Sequence, residues 1–452
     1  MIADLKPYPA LKDSGVEWLG EVPKHWDVRR LKYLLREQDT RSVDGSEQLL
    51  RVSQYTGVTE RKSEDGTEAP DTRAASLVGY KCVGQNELVV NIMLAWNGSM
   101  GVSAFPGIAS PAYCVYRLSD QAAPWYFHYL LRSTVYKARI KAVSTGIVES
   151  RMRLYTDELY RLEGLLPPLP EQAAIVRFLD RTDRRIRRYI RSKQKLVKLL
   201  EEQKQAILHR AITRGLDPNV RLKPSGVEWL GDVPEHWEVK RLKWVTHLQR
   251  GYDLPADRRV SGPYPVVSSG GIIDTHSEAR CNGPGVVMGR YGSTDAVFFV
   301  DHDFWPHNTS LFVTDFQCNS QKWCYYLLRS ITKADHAGKS AVPGIDRKDL
   351  FQILVPAPPV DEQAVIVTSI EARSQELNDT ISTAQREIVL LREYRTRLIA
   401  DVVTGKLDVR EAVRRIPDEG EEPEPLNEAD VLAEAEEATA DDLDAIPEEA
   451  EA

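Results

Sequence analysis

The side chains best suited to metal binding or phosphate chemistry lie in two short stretches. Residues 301–303 (DHD), with His307 nearby, are types that coordinate metal ions, and residues 338–340 (GKS) resemble the end of a phosphate-binding loop. Alternating residues on a strand point to opposite faces, so the first stretch is better interpreted as a polar turn. The second lacks the glycine required five residues before Gly338, where Lys333 stands, so no phosphate site is expected.

Other catalytic motifs are missing from the sequence. No Gly-x-Gly-x-x-Gly run follows a strand pattern, and there is no Asn/Asp-Pro-Pro-Tyr/Phe, which an amino-methyltransferase needs to hold a flipped base. The five cysteines form no Cys-x-x-Cys pair, which argues against a zinc site or a disulfide framework. We therefore expect a non-catalytic chain that binds no metal or cofactor of its own. With no long apolar run or signal-peptide core, a cytoplasmic location is expected.

Internal repetition is the clearest feature of the chain. Residues 14–34 (SGVEWLGEVPKHWDVRRLKYL) return at 225–245 as SGVEWLGDVPEHWEVKRLKWV, with 15 of 21 positions identical. A Pro-rich stretch at 165–176 that contains Glu171-Gln172 is matched at 354–367, where the pair is Glu362-Gln363. The offset falls from 211 to 191 within the front of each copy and then stays constant. This predicts two tandem copies. The front part of each copy differs in length between the copies, whereas the back part has the same length in both.

The back of each copy predicts one long helix. Prolines place its start near the Glu-Gln pair, and Gly215 and Gly405 stand where helix C-termini prefer glycine. Apolar residues match between the copies at heptad spacings, which is typical of a coiled-coil seam. The seam residues are Ile186, Ile190, Val197, Leu200 and Ile207 in the first copy, and Leu377, Ile381, Ile388, Leu391 and Leu398 in the second. Because one stripe cannot be buried alone and the lengths match, we expect antiparallel packing of the two helices; the alternative is two surface helices on separate cores.

The fronts predict two globular α+β domains. Strand-like runs occur at 86–96, 285–292 and 296–300, and aromatic-rich helices are predicted at 124–140 and 321–334. Apart from the opening motif and a shared YLLRS, the two fronts scarcely resemble each other. Two domains that share their flanking motifs but differ in the rest of their sequence indicate two similar functions with different specificities.

Charge is distributed unevenly along the chain. Residues 411–452 contain 17 Asp/Glu and two Arg, so the net charge of −8 conceals a body, residues 1–410, of +7. A basic body favours polyanionic partners. The first predicted helix, residues 171–214, has 13 Lys/Arg and five Asp/Glu, which fits a solvated face, a phosphate backbone nearby, or attraction to the second helix. The acidic tail is expected to be disordered and solubilising; a screen that mimics duplex DNA is the alternative.

The duplicated opening phrase, the duplicated Pro-rich Glu-Gln stretch and the two-copy plan resemble the specificity subunit of type I restriction–modification systems, over residues 4–410. The resemblance implies an α+β fold with two α/β target-recognition domains, joined by two conserved helices in an antiparallel coiled coil and related as a pseudo-two-fold tandem repeat. It implies that each domain reads one half of a split DNA site. Implied partners are double-stranded DNA, two methyltransferase subunits and restriction subunits with motor activity. S-adenosylmethionine, ATP and Mg²⁺ would be used by those partners, in phage defence.

The expected domain bounds follow from the repeat. They are target-recognition domain 1 at 1–165, spacer helix 1 at 166–221, target-recognition domain 2 at 222–355, spacer helix 2 at 356–410 and the tail at 411–452. The opening motif is interpreted as the joint between each recognition domain and the helices. A segment that is the same in both copies cannot distinguish two half-sites.

Base-reading residues are expected where the copies differ. In the first front these are Asn91, Trp96, Asn97, Ser99, Lys141, Ser144, Thr145, Arg151 and Arg153, and in the second Arg250, Tyr252, Arg290, Tyr291, Ser293, Thr294, His307, Asn308, Lys339 and Ser340. Arg pairs well with guanine and Asn with adenine, but most protein–DNA hydrogen bonds go to the backbone, which leaves phosphate contact or a surface role as the alternative. Rival functions are a nuclease or methyltransferase in its own right, a stand-alone coiled-coil scaffold, and an orphan specificity subunit without restriction activity.

Overall fold

The computed structural model describes residues 5–61, 76–148, 152–290, 296–331 and 347–416. The chain divides into two compact units. Unit 1 comprises Met1–Lys193 and Glu387–Ala452, and unit 2 comprises Gln194–Arg386. Each of the two long helices therefore contributes one part to each unit. Within the described ranges, no helix combines the length and apolar content needed to cross a bilayer.

Unit 1 is a mixed α/β unit. Its strands are β1 (Leu11–Asp13), β2 (Glu21–Pro23), β3 (Asp27–Arg30), β4 (Leu35–Gln38), β5 (Leu50–Ser53), β6 (Gly57–Glu60), β7 (Lys81–Val83), β8 (Leu88–Asn91), β9 (Met100–Val102), β10 (Gly107–Ala109), β11 (Tyr113–Leu118) and β12 (Glu163–Leu166). Its short helices are α1 (Pro124–Arg132), α2 (Thr134–Val143) and α3 (Thr156–Arg161), followed by the long helix α4 (Leu169–Arg214), which continues into unit 2.

Unit 2 has a comparable series of elements. Its strands are β13 (Leu222–Pro224), β14 (Asp232–Pro234), β15 (Glu238–Arg241), β16 (His247–Arg250), β17 (Tyr264–Ser268), β18 (Gly271–His276), β19 (Gly285–Gly289), β20 (Val297–Val300), β21 (Trp305–Pro306), β22 (Ser310–Asp315) and β23 (Leu354–Ala357). Its helices are α5 (Gln321–Ile331), α6 (Arg347–Leu350) and the start of the long helix α7 (Val360–Val403), which ends in unit 1 before α8 (Arg410–Arg414).

The central sheets of the two units have the same topology. Four antiparallel strands run in the order β4-β11-β8-β9 in unit 1 and β16-β22-β19-β20 in unit 2. The opening motif also pairs alike, as β1-β2 and β12-β3 in unit 1 and as β13-β14 and β15-β23 in unit 2. The predicted common frame is therefore present, although the two fronts share little sequence.

Both faces of each central sheet are buried. In β8, Leu88 and Val90 belong to the main core with the aromatic side chains of α1, whereas Val89 faces a smaller cluster under β5 and β6. In β19, Met288 faces the main core of unit 2 and Val287 faces a second cluster. This alternation follows from the period of two in a strand. Because both faces are covered, these strands are continuously apolar rather than alternating with polar residues.

The long helices begin and end close to where the sequence predicts. α4 spans 46 residues and α7 spans 44, and Gly215 and Gly405 follow their ends with φ of +71° and +76°. In unit 1 the helices run antiparallel, since Asp183 forms an ion pair with Arg395 and Lys193 Nζ lies 2.6 Å from a carboxylate oxygen of Glu387. In unit 2, Lys204 Nζ donates to Asn378 Oδ1 at 2.6 Å. The predicted packing of one helix against the other is confirmed.

The predicted seam is buried to different degrees along the helices. Ile186, Ile190 and Ile388 form a buried cluster with Leu391 packed against it. Ile381 and Leu398 are also buried, whereas Val197, Leu200, Ile207 and Leu377 are half-buried. The charged residues that interrupt the seam, Lys193, Lys204 and Arg395, each pair with the other helix, so they are accommodated by ion pairs and hydrogen bonds.

A buried carboxylate joins the opening motif to α4 in unit 1. Glu171 accepts hydrogen bonds from the Tyr8 hydroxyl at 2.6 Å and from Trp26 Nε1 at 3.0 Å, and it lies 2.7 Å from His25 Nε2. Both Glu171 and Trp26 are buried. A buried charge needs such partners to offset its desolvation. The Glu of the repeated Glu-Gln pair therefore holds the opening motif against the start of α4.

The Glu of the second Glu-Gln pair makes equivalent contacts with the opening motif of unit 2. Glu362 accepts from Trp237 Nε1 at 2.9 Å and lies 2.9 Å from His236 Nε2. The interpretation of the opening motif as the joint between recognition domain and helix agrees with this geometry. The motif repeats because the joint repeats.

The Gln of each pair holds the first helix after the central sheet. Gln172 is fully buried, and its side-chain oxygen accepts from the Ala123 amide, just before α1, at 2.8 Å. Gln363 is fully buried and accepts from the Ser320 amide, just before α5, at 2.9 Å. Each amide nitrogen donates to two further oxygens. In each unit, the Glu of the pair thus fixes the opening motif to the long helix, and the Gln fixes the start of the helix that follows the central sheet.

Two predicted elements differ in the structure. The helix predicted at 124–140 is two helices, because Ser133 is extended and caps α2, its hydroxyl accepting from the Tyr136 amide. The strand-like run at 86–96 is strand only to Asn91; after a turn, Ala95–Asn97 form a 3-10 helix. A continuous apolar run cannot by itself distinguish a buried strand from a strand followed by a turn.

The fold extends into the segment assigned to the acidic tail. Ala412 and Ile416 are buried in the core of unit 1, and the Ile416 carbonyl accepts from Arg177 Nη2 at 3.2 Å. The predicted boundary at residue 411 therefore falls inside α8. Residues 417–452 lie outside the described residues.

A glycine pair in unit 1 gives a matched test of backbone strain. Gly405 (φ +76°) and Gly20 (φ +63°) are both left-handed, but a Cβ at Gly405 would lie 2.4 Å from Pro23 Cδ, whereas one at Gly20 would meet nothing within 4 Å. We expect Gly20→Ala to cost about 1–2 kcal/mol, the left-handed penalty alone, and Gly405→Ala to cost clearly more. Urea midpoints of the two variants check this. Equal midpoints would mean that Pro23 yields at no cost.

Candidate nucleic-acid interface

The predicted DNA-binding residues of the first front gather at one end of the central sheet of unit 1. β8 ends at Asn91, and the 3-10 turn at Ala95–Asn97 leads the chain back into β9. Lys141 Nζ of α2 lies 5.1 Å from the centroid of the Trp96 ring, within the range of a cation–π contact. Residues 91–99, 141–145 and 152–154 are named the unit 1 surface.

The segment after α2 completes this surface. Thr145 and Arg153 pair as an antiparallel bridge, with amide–carbonyl distances of 3.0 and 2.9 Å. The Leu154 amide donates to the Ile92 carbonyl at 2.9 Å, which fastens the bridge to the turn after β8. The side chains of Lys141, Thr145 and Arg153 are exposed. Two sequence regions some 50 residues apart therefore present one surface.

Burial separates the residues that shape this surface from those that can contact a ligand. Asn91 and Ser99 are each 3% exposed. The Asn91 side-chain oxygen accepts from the Met93 amide at 3.1 Å, and that of Asn97 accepts from the Ser99 hydroxyl at 2.8 Å. Ser144 donates back to the last turn of α2 at 2.8 Å. These four polar residues are therefore used within the turns, and contact falls mainly to the exposed side chains.

Sequence reasoning missed two apolar residues at the tip of this surface. Met93 and Leu94 are 36% and 41% exposed in the turn after β8. They were hidden inside the run predicted as a strand. Apolar side chains at such a tip suit contact with thymine methyl groups or insertion at a base step.

The predicted residues of the second front also come together. Tyr252 and His307 pair as a parallel bridge, and the Tyr252 amide donates to the Pro306 carbonyl at 2.8 Å. Arg250 Nε donates to the Asn308 carbonyl at 3.2 Å. The Asn308 side chain donates in turn to Asp253, and this hydrogen bond uses part of its amide. Residues 250–253, 280, 290 and 307–309 are named the unit 2 surface.

His307 is held in one orientation on this surface. Its Nδ1 lies 3.1 Å from the Thr309 hydroxyl, and the Arg290 amide donates to the Thr309 carbonyl at 3.1 Å. Burial, reinforced by the nearby Arg259 guanidinium, lowers the pKa of His307 below its ordinary value. The lowered pKa favours the neutral imidazole, in which one ring nitrogen donates and the other accepts.

Arg280 belongs to the unit 2 surface and was missed by sequence reasoning. Its guanidinium carbon lies 4.9 Å from the Trp305 ring centroid and 5.9 Å from that of Tyr252, and the side chain is exposed. The neighbouring Cys281 pairs with Phe304 as a bridge, which carries Arg280 to this position. Because the pairing joins residues distant in sequence, no local signal could have placed it.

The two surfaces occupy the same end of equivalent sheets. Asn91 is opposite Tyr113 at the start of β11, and Gly289 is opposite Ser310 at the start of β22. Of the remaining predicted residues, Arg151, Tyr291, Ser293, Thr294, Lys339 and Ser340 lie outside the described residues. Equivalent positions thus carry different side chains in the two units.

The stretch at 301–303 forms a connection between strands. It lies between β20 and β21, and a side-chain oxygen of Asp303 accepts from the Gly283 amide at 2.9 Å. Across the described ranges, no group of three or more His, Cys, Asp or Glu is arranged to hold a metal ion. The position of residues 301–303 between β20 and β21 and the hydrogen bond of Asp303 agree with the interpretation as a polar turn.

Comparisons with known proteins agree with this architecture. A family model for the type I restriction modification DNA specificity domain matches residues 234–388. Two curated relatives are from Methanocaldococcus jannaschii. The putative type I restriction enzyme MjaX specificity subunit is 23% identical, over 87% of this chain and 96% of its own length. The type I restriction enzyme MjaVIII specificity subunit is 21% identical, over 86% of this chain and 94% of its own length.

A solved structure shares the fold. It comes from work on complex assembly and conformational transition of the type I R-M system, with a TM-score of 0.67 at 17% identity, and it covers 85% of this chain and 99% of the matched chain. The duplicated frame, the packed helix pair and the matched specificity domain therefore lead to one conclusion. Residues 234–388 match the type I restriction modification DNA specificity domain, and the chain as a whole is similar to specificity subunits of type I restriction–modification systems.

Proposed function

We propose that this chain reads a bipartite DNA site, with the unit 1 surface contacting one half-site and the unit 2 surface the other. One observation carries the proposal: equivalent ends of two sheets with the same topology present different exposed side chains. Lys141 and Arg153 provide cationic groups in unit 1, and Arg250 and Arg280 do so in unit 2. Cationic side chains bind phosphates, and Arg also reads guanine in the major groove.

The long helices are proposed to set the gap between the half-sites. α4 and α7 contain 46 and 44 residues, lengths of about 66–69 Å, and ion pairs join them. Each recognition surface alone offers few contacts and should bind weakly. Two linked surfaces bind more tightly when their separation matches the DNA.

Chemistry is proposed to belong to partner subunits. The chain would direct two methyltransferase subunits, which use S-adenosylmethionine, and restriction subunits, which use ATP and Mg²⁺. A specificity subunit needs to supply only recognition and docking surfaces. The purified chain is accordingly expected to be inactive as a methyltransferase, nuclease or ATPase, and activity that survives rigorous removal of partners would refute this.

Replacing exposed cations in one unit should affect one half-site. We expect Lys141→Ala with Arg153→Ala to weaken binding to the first half-site, and Arg280→Ala to weaken binding to the second, by about 1–3 kcal/mol for each lost base contact. Selection of bound DNA from a library randomised at both half-sites measures this.

The control for lost charge is Arg161→Ala in α3, whose side chain is 74% exposed and lies in unit 1 outside the unit 1 surface. It should leave both half-sites unchanged. If the unit 1 and unit 2 variants altered the same half-site, or if Arg161→Ala acted as strongly, the assignment of one surface to each half-site would be wrong.

A further inference from the structure

Each repeat of the opening motif exposes one aromatic side chain. Tyr33 in unit 1 and Trp244 in unit 2 occupy the same position of the repeat and are 66% and 65% exposed. Each ends a single 3-10 turn, Leu31–Tyr33 or Leu242–Trp244. Aromatic residues dominate protein interfaces because they bury a large area when covered. An exposed ring of similar size at the same place in both units requires an explanation.

The local fold does not need these rings. Leu31 and Leu242 are the buried members of the two turns, with no exposed area. The Leu31 amide donates to the Leu162 carbonyl at 2.8 Å, and the Leu242 amide donates to the Ile353 carbonyl at 2.8 Å. The turn is thus fixed by its leucine and by its backbone, and the aromatic side chain points away from that core.

Three cations precede each ring in the sequence, one of them lies beside it, and their positions also repeat. Arg29, Arg30 and Lys32 precede Tyr33, and Lys240, Arg241 and Lys243 precede Trp244. Lys32 Nζ lies 4.7 Å from the Tyr33 ring centroid, and Lys243 Nζ lies 4.9 Å from that of Trp244. Residues 29–33 and 240–244 are named the repeat patches.

The ion pairs of the described residues neutralise only part of the positive charge of the repeat patches. Asp27 and Glu238 pair with the first cation of each patch. Among the described residues, no hydrogen bond or ion pair is seen for the side chains of Arg30 and Arg241. Each patch is therefore an exposed ring within a net positive surface.

The repeat patches lie at the sheet end opposite the candidate DNA-reading surfaces. In unit 1, β4 begins just after Tyr33, and its Leu35 is opposite Leu118, the last residue of β11. The unit 1 surface begins at Asn91, opposite Tyr113 at the other end of the same strand. Six residues of strand correspond to about 17 Å.

Unit 2 repeats this arrangement. His247, three residues after Trp244, is opposite Asp315 at the end of β22, whereas Gly289, next to Arg290, is opposite Ser310 at its start. DNA on the reading surfaces therefore leaves both repeat patches at the far end of their sheets.

We propose that the repeat patches dock one partner protein twice, one copy per unit, through an acidic surface with a pocket for the aromatic ring. Three observations favour a protein over DNA: the location away from the reading surfaces, the exposed aromatic anchor, and the retention of the patch where the half-site readers differ. The partner's charge follows from complementarity to the cations. The inference rests on the proposed function, in which the methyltransferase subunit is the partner required in two copies.

The test uses the full chain produced together with the methyltransferase subunit of its own restriction–modification system. Native mass spectrometry is expected to give two methyltransferase copies per wild-type chain. Lys32→Glu with Tyr33→Ala should leave one copy, Lys243→Glu with Trp244→Ala should leave one, and all four substitutions should leave none. Titration should show a loss of affinity of about 30-fold or more at each altered patch, as expected for a hot-spot residue.

Phe105→Ala is the matched control, because Phe105 is 42% exposed in unit 1 outside the repeated segment. It should retain two copies. Binding of the full chain alone to DNA, measured against log salt, should be the same for wild type and the fourfold variant. Two copies bound by the fourfold variant would overturn the proposal, as would a reduced salt slope with methyltransferase binding intact, which would make the patches DNA contacts. A wild-type chain that binds no methyltransferase would instead refute the proposed function.

Discussion

Inserting four residues into α4 after Lys193 is expected to abolish specific binding or shift the preferred gap, while both half-site sequences stay the same. The insertion adds about one turn, or 6 Å, to one helix. Lys193 pairs with Glu387 at 2.6 Å, and Ile186 and Ile190 pack with Ile388. Lengthening one helix alone moves these partners out of register on one side of the insertion.

A second insertion of four residues between Arg386 and Glu387 gives the matched control. With both helices lengthened at paired positions, the register is restored and the separation grows by about 6 Å. A base pair spans about 3.4 Å, so the preferred gap should increase by about two base pairs and binding should recover. Mapping of modified sites across a genome measures gap and half-sites together. Half-site letters that change while the gap stays constant would mean that the helices read sequence.

Replacing Asp183 by Asn should cost unit 1 about 3–5 kcal/mol, the loss expected when one partner of a buried ion pair is removed. Asp183 pairs with Arg395 across the helix pair and with Arg187 at 2.8 Å, and its side chain is 14% exposed. The substitution leaves two guanidinium groups half-buried without their shared counter-ion.

The same pair predicts a pH dependence. Burial alone would raise the pKa of the Asp183 carboxyl, but the Arg395 and Arg187 guanidiniums outweigh it and hold that pKa below its ordinary value. The contribution to stability is therefore complete above the unfolded pKa, about 3.9, and is lost as pH falls through the lower folded pKa. The Asn variant should lack this loss.

Urea unfolding at pH 7 and at a series of acidic pH values, followed by hydrogen exchange of peptides from 181–193, measures both effects. Asp27→Asn is the control, since the Asp27–Arg29 pair is 60% and 45% exposed and should contribute less than about 1 kcal/mol. If the two variants lost the same stability, the buried pair would not hold the helices together.

The long helices were predictable because their signals are local and repeated. Proline before Glu171, glycine at 215 and heptad spacing all indicate the same element, and both copies agree. The role of the Glu-Gln pair was not predictable. Nothing near Glu171 in the sequence shows that Trp26, 145 residues earlier, donates to it.

The reading surfaces were predictable as regions and less so as residues. Loops that differ between the copies did come together, yet Asn91 and Ser99 are buried turn residues and Arg280 joins the unit 2 surface through a distant bridge. Exposure depends on packing between distant segments, which residue type and spacing do not encode locally.

In the proposed function, this chain sets the sequence specificity of a bipartite DNA site through two different surfaces. Methylation-sensitive sequencing of the host genome, with the gene present and deleted, tests it most directly. We expect a modified motif of two half-sites with a fixed gap that disappears on deletion and returns with the wild-type gene. The double variant Lys141→Ala, Arg153→Ala should return it with only one half-site altered. A motif that persists without the gene, or one that is continuous rather than split, would refute the proposed function.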